Sequence, residues 1–367
     1  MNGATFDSSG LYANDPFAKT LIDKWRLNPI KLGLIILVIE VSTDLVPGYF
    51  LDVLSGTRGE IIGFFHGWPQ PFFGFIIVPI TWGYYLWMAT SPRKLLEELK
   101  AAKVVDIDDA SFDTQIKRYV ENVYSHWTWT VASVVVVVIA ANAVEAKHAF
   151  SHLWIYASQW YYWPKMVQTY FGWYVVCMIV ARELSTIIVL RDLFKKHKVN
   201  LYPLHPDNCG GLSALNAYSI KFTYFIGIAG LGVSLIAYES IQIGDFQANY
   251  LIHSAICAYI VLAIYTFFAP LGTAHNAMRE TKEQWLMDIS RQFQVTYEST
   301  TRVLNSPGKK LKSNIEKIEQ LQEIYKVTEE FPVWPFDTRT LQRFGATIFT
   351  SLSPVVVSLI MKILRIG

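Results

Sequence analysis

The sequence predicts an all-α, polytopic membrane protein: six transmembrane helices, a seventh at the C-terminus, and a cytosolic helical hairpin. Three observations carry this expectation. Of 367 residues, 52% are hydrophobic and only 17% are charged, whereas soluble domains carry about 25% charged residues. Mean hydropathy is +0.27. Apolar runs near the ~20 residues that a helix needs to cross a bilayer recur along the chain. This composition excludes intrinsic disorder, which demands low hydrophobicity. Three cysteines, Cys177, Cys209 and Cys257, two of them inside apolar runs, exclude a disulfide scaffold.

Residues 1–29 read as a cytosolic N-terminal tail. No cleavable signal peptide is visible, because the first apolar run contains Glu40 and Asp44 and lacks a small-residue cleavage pattern. The transmembrane region covers 30–270. Spans are predicted at Ile30–Val46, Phe72–Thr90, Trp127–Val144, Met166–Leu190, Ser219–Ile241 and Tyr250–Pro270. Cytosolic loops fall at 91–126 and 191–218. Residues 271–340 form the hairpin and a Pro/aromatic linker. Residues 341–367 hold the last membrane helix, whose run Leu341–Leu364 carries Pro354 in its middle. That run either spans or lies at the interface.

Lysine and arginine set the orientation. The N-terminal tail, Ser91–His126, Arg191–Lys221 and Leu271–Arg343 hold 25 of the 32. The opposite loops hold only Arg58, Lys147 and Lys165. The positive-inside rule therefore places the N-terminus and the long segments in the cytoplasm. Trp154, Tyr156, Trp160, Tyr161, Tyr162 and Trp163 crowd the sparse outer loop, where amphipathic rings suit headgroup depth.

Three cytosolic pieces are candidates for function. In the first, Ser91 is expected to cap a helix that Pro92 begins. Asp106, Asp108, Asp109 and Asp113 follow. They can attract a divalent cation or form a solvated turn, and the glycine and closing glutamate of an EF-hand are missing. The second piece contains His205-Pro206-Asp207-Asn208-Cys209-Gly210-Gly211. One cysteine without a paired motif does not make a zinc site. The glycine pair can lead into a helix N-terminus that binds a phosphate. Alternatively the loop is a rigid turn in which Asp207 or Asn208 bonds local backbone. The third piece predicts helices at Thr273–Leu304 and Leu311–Glu330, split by Ser306-Pro307-Gly308. Leu311, Ile315, Ile318, Leu321, Ile324 and Tyr325 form an apolar stripe. Ten acidic residues nearly balance eleven basic ones across Leu271–Arg343, which suits packing or homo-oligomer assembly and not a nucleic-acid face.

Charges inside spans are costly and mark candidate sites. Glu40 and Asp44 lie at i and i+4 in the first span. They can line an ion path, or pair with a neighbouring helix. Arg182 and Glu183 sit in the cytosolic half of the fourth span, where Arg182 can also snorkel to the headgroups. In the fifth span, Ser219, Thr223, Gly227, Gly230, Ser234 and Ala237 share one small-residue face. Such a face allows close helix packing or lines a narrow pore. No catalytic signature of the GxSxG, HExxH, Walker or GxGxxG type is present. No catalytic residue, cofactor or metal site is therefore predicted. No internal repeat of spans is evident, which weakens a transporter reading.

The run His205-Pro206-Asp207-Asn208-Cys209-Gly210-Gly211-Leu212 and the run Phe331-Pro332-Val333-Trp334-Pro335-Phe336-Asp337 resemble a bacterial inner-membrane family. Its members share an HPD-x-x-GGL loop and a PVWPFD segment before a final apolar run. The likeness covers residues 200–360. In overall character the chain is also similar to membrane effectors of anti-phage defence, such as the membrane component of the Hailong system. That likeness implies an oligomeric ion channel governed by a cytosolic nucleotide or oligonucleotide ligand, or by a partner protein. The function expected from the sequence is thus a gated ion channel. A secondary transporter and a membrane scaffold or sensor are the rival expectations.

Overall fold

A computed structural model describes residues 10–54, 57–58, 61–65, 69–134, 159–197, 199–201, 205, 207, 209–243, 250–303, 308–336 and 338–366. Helix dominates. α1 (Pro16–Lys19) runs into a π turn at Thr20–Lys24, and α2 covers Pro29–Phe50. A two-residue antiparallel pair, β1 (Thr57–Arg58) and β2 (Ile61–Ile62), follows. α3 (Pro69–Phe72), a π turn (Phe73–Ile77) and α4 (Val78–Ala101) make one rod. α5 is Asp109–Val123 and α6 covers 126–134. Five long helices complete the chain: α7 (Gln159–Lys196), α8 (Ser213–Ile243), α9 (Tyr250–Val303), α10 (Lys309–Glu330) and α11 (Thr338–Ile366).

Among the described residues, four stretches are long and apolar enough to cross a membrane: Pro69–Ala101, Trp160–Lys196, Ser213–Ile241 and Ile252–Arg302. They contain the predicted second, fourth and fifth spans and all of the sixth but its first two residues. The predicted first and last spans are also helical, as α2 and α11. Of the predicted third span, α6 shows the beginning, and residues 135–144 lie outside the described residues.

Several boundaries differ from the sequence expectation. Pro92 does not start a helix but lies inside α4. Pro270 does not separate a span from a cytosolic helix, because α9 continues through it for 54 residues, roughly 80 Å at 1.5 Å per residue. Proline loses one backbone hydrogen bond, and long packed helices tolerate that loss. The N-terminal tail is part of the core: Leu11, Tyr12, Ala18 and Leu21 are buried with residues of α4 and α7.

The polarity of α2 is inverted. Ile30, Leu34, Ile35, Val38 and Ile39 are exposed, while Glu40 and Asp44 are buried at 2% exposure. A water-soluble helix does the opposite, so this face matches a lipid surround. Asn28 caps the helix by accepting from the Lys31 amide at 2.8 Å, and Pro29 occupies its first turn. α2 packs on α4, α4 on α7 and α8, and α8 on α9 and α11.

The small face of α8 meets other helices. A Cβ at Gly227 would lie 2.3 Å from Thr347 Cγ2, and one at Gly230 would lie 2.2 Å from the Tyr259 hydroxyl. Thr223, Ser234 and Ala237 are buried. Tyr259 of α9 and Ser351 of α11 hydrogen-bond at 3.0 Å directly over Gly230. Within one protomer, this face is therefore a close-packed seam. At the far end of α9, α10 folds back, with Lys282 Nζ donating to the Glu329 carbonyl at 2.6 Å and Asn314 to Ser299 at 3.2 Å. Leu321 is buried there, whereas Ile315 and Ile324 of the predicted stripe are 44% and 52% exposed.

Gly230→Val should overpack the seam and destabilise the protein by about 1–3 kcal/mol. The check is the thermal unfolding midpoint in detergent against wild type.

Candidate functional site

Two buried charge clusters sit on α7, one near its N-terminus and one past its midpoint. The first joins α7 to α2. Lys165 Nζ lies 2.7 Å from Glu40 Oε2 and 2.7 Å from Asp44 Oδ1. The Tyr161 hydroxyl donates to Asp44 Oδ1 at 2.7 Å, and Gln168 donates to Glu40. Tyr161, Lys165 and Gln168 follow +4 and +3 spacing and so share one helix face. Gly74, in the π turn before α4, closes the third side, because a Cβ there would meet both carboxylates at 3.4 and 3.6 Å. Beside the cluster lies a cleft of about 360 Å³ whose lining includes Thr43, Trp160, Tyr161, Lys165 and Gln168. Two carboxylates face one ammonium. With all three ionised, the group carries one negative charge more than positive, a balance that burial strongly disfavours.

The second cluster lies 17 residues along α7 from Lys165, roughly 25 Å away. Arg182 is 1% exposed. It does not snorkel. Its Nη2 donates to Asp15 Oδ2 at 2.7 Å and its Nη1 to the Tyr85 carbonyl at 2.8 Å. The guanidinium also stacks over the Tyr85 ring, 4.8 Å from its centroid. Asp15 is itself saturated. It accepts from the Tyr85 hydroxyl at 2.7 Å, the Tyr174 hydroxyl at 3.2 Å and the Ala18 amide at 3.0 Å. One carboxylate thereby caps α1 and neutralises an arginine of α7. Glu183 points elsewhere and takes the Tyr218 hydroxyl of α8 at 2.6 Å.

The loop before α8 is built around Asp207. Its carboxylate accepts from the amides of Cys209 (2.9 Å), Gly211 (3.0 Å) and Ser213 (3.1 Å), and pairs with His205 Nδ1 at 2.7 Å. Gly210 and Gly211 adopt φ of +67° and +98°, which favours glycine. The amides at the α8 N-terminus, predicted as a phosphate cradle, thus already hold an anion, the chain's own Asp207. Asn208 lies outside the described residues. Burial pushes the Asp207 carboxyl up, but the amides of Cys209 and Gly211, His205 and the Ser213 amide outweigh it and hold it below its ordinary value. The loop packs on the second motif, since Phe331 Cζ lies 3.0 Å from a Cβ built on Gly210. Beyond Phe331, His275 of α9 stacks on Trp334 at 4.0 Å and bonds the Val333 carbonyl at 2.8 Å. The two motifs therefore form one platform against α9.

Of the first loop's carboxylates, Asp109 pairs with Lys100. Among the described residues, no three His, Cys, Asp or Glu side chains gather where a metal ion could be held.

Sequence reasoning singled out Glu40, Asp44, Arg182 and Glu183 but missed their partners. From the sequence, Lys165 reads as part of a loop and Asp15 as part of a tail. Two local signals point to them: the one-face row of Tyr161, Lys165 and Gln168, and the Asp15-Pro16 pair that opens a helix. Comparison with protein-family models, curated sequences and solved structures gives no match.

Asp15→Ala leaves Arg182 buried without its counter-charge and should cost about 3–5 kcal/mol. Pairing it with Arg182→Met should recover much of that loss. Unfolding midpoints of the single and double variants decide the matter, and additive losses would contradict the pairing. Asp207 contributes stability that is fully present above its ordinary pKa of 3.8 and is lost as pH falls through its lower folded value. The wild-type chain should therefore lose its advantage over Asp207→Ala only under strong acid, as read from acid-unfolding curves of the two.

Proposed function

We propose that this chain is a gated ion channel of a bacterial inner membrane, with its N-terminus in the cytoplasm and the structure in its closed form. In this reading α2, α11 and the expected span at Trp127–Val144 also cross the bilayer, which makes six spans plus a seventh. The observation that supports it best is the Glu40–Lys165–Asp44 cluster. Ionisable groups buried in helices of spanning length mark ion paths by default, and this cluster carries an excess carboxylate that a cation or a proton must balance. Both charge clusters face the interior of one protomer. Each copy in a homo-oligomer would thus hold its own path along α7, instead of sharing a central axis.

The likeness to defence effectors adds a nucleotide-type trigger. Its phosphate would have to displace Asp207 from the amides of Cys209, Gly211 and Ser213. The platform with Phe331 and Trp334 would pass that event to α9. A secondary transporter is the second reading, supported by the mutual pairing of the charges in both clusters.

Planar-bilayer recording tests the proposal. Glu40→Gln should change unit conductance or cation selectivity. Lys165→Met, which leaves two carboxylates facing each other, should raise cation current. Saturable flux without unit steps would point to the transporter. Absence of any current or flux in wild type and both variants would count against ion movement altogether.

A further inference from the structure

The ion-path proposal makes no use of Glu183, and its surroundings are unusual. It is 1% exposed. The neighbouring guanidinium of Arg182 is committed to Asp15 and the Tyr85 carbonyl, and among the described residues no cation is bonded to Glu183. The groups around it are hydroxyls and a thioether. Tyr218 of α8 donates to its Oε2 at 2.6 Å. The same hydroxyl lies 3.5 Å from Thr186 Oγ1 and 3.7 Å from the Met88 sulfur of α4. From α5, Tyr119 reaches the same place, with Thr186, Arg182 and Glu183 as its neighbours. Tyr119 is 2% exposed, and no well-formed hydrogen bond reaches its hydroxyl. Gln115, one turn away on the same face of α5, is 5% exposed and its Oε1 is likewise unsatisfied.

Buried polar atoms in native proteins are nearly always bonded. A purely structural network would have satisfied Tyr119 and Gln115, or replaced them with apolar residues at little cost. Instead the buried face of α5 presents an orphan hydroxyl to a buried carboxylate through one threonine. We propose that Glu183 is a proton-exchange site, served from α5 by the file Tyr119–Thr186–Tyr218. α5 is fixed for this role by the ion pair of Arg118 with Asp192 of α7.

The transfer balances. A hydronium that reaches the buried Tyr119 oxygen gives it a proton, and the original Tyr119 proton passes to Thr186. Thr186 releases its own proton, now bonded to the Arg182 carbonyl at 2.8 Å, to Tyr218. The Tyr218 proton moves along its existing bond to Glu183 Oε2. Each hydroxyl gains one O–H bond and loses one. The net change is one O–H bond on Glu183 and one proton fewer in solvent. The inference does not require that the chain conduct ions.

The test is infrared spectroscopy of purified full-length protein in detergent. Acidification should produce a carboxylic-acid C=O band that Glu183→Gln removes. In deuterated buffer that band should shift quickly in wild type and about 100-fold more slowly in Tyr119→Phe. Thr186→Val should slow it similarly. Tyr119→Phe deletes a hydroxyl that makes no well-formed hydrogen bond, so its unfolding midpoint should stay close to wild type and keep the comparison clean. No Glu183 band at any pH where the protein stays folded would overturn the proposal. So would exchange that is equally fast in Tyr119→Phe.

Discussion

A guanidinium shut away from water must find its counter-charge inside the protein, and Arg182 finds it in Asp15. Much of the architecture answers to that requirement. The N-terminal segment is drawn between α4 and α7 because its carboxylate belongs there. α1 is positioned because the same carboxylate caps it. Tyr85 and Tyr174 turn inward because the remaining lone pairs of Asp15 need donors. Removing either ion leaves the other unpaired in a low-dielectric interior, where the penalty is largest.

The same logic recurs near the N-terminus of α7 with a different balance. At Arg182 the pair is matched one to one. At Lys165 of α7 one ammonium serves two carboxylates of α2, a helix whose outer face is largely apolar. A matched pair suits a latch that holds elements together. An unmatched trio suits a place where a mobile charge comes and goes. α7 carries both and connects them through an apolar stretch that includes buried Val175, Met178 and Ile179. This division of labour is the main reason to read α7 as the axis of the molecule.

The fold was legible in the sequence where the signal was local. Hydropathy runs placed α4, α7, α8 and α9, and the costly charges Glu40, Asp44, Arg182 and Glu183 stood out against them. Partners were not legible, because Lys165 lies 125 residues from Glu40 and no periodicity links such positions. Prolines misled at two points. Pro92 and Pro270 read as boundaries, yet both lie inside helices, whose packing compensates for the lost backbone bond. The stripe on α10 was half right for a geometric reason. Leu321 faces α9, but Ile315 and Ile324 rotate out to solvent. The meeting of the His205–Leu212 loop with Phe331 needed the tertiary fold, since 120 residues separate the two motifs.

The Asp15–Arg182 contact also bears on how the molecule is made. The two residues are 167 positions apart in the chain. At synthesis rates of about 5–20 residues per second, Asp15 precedes Arg182 by roughly 10–30 seconds. During that interval the first segment has no place to dock, and α2 and α4 are made before their charged partners exist. Completion of α7 therefore marks the moment at which the growing chain becomes electrically self-sufficient. Until then its earliest residues must be kept from alternative partners by the insertion machinery or by solvent.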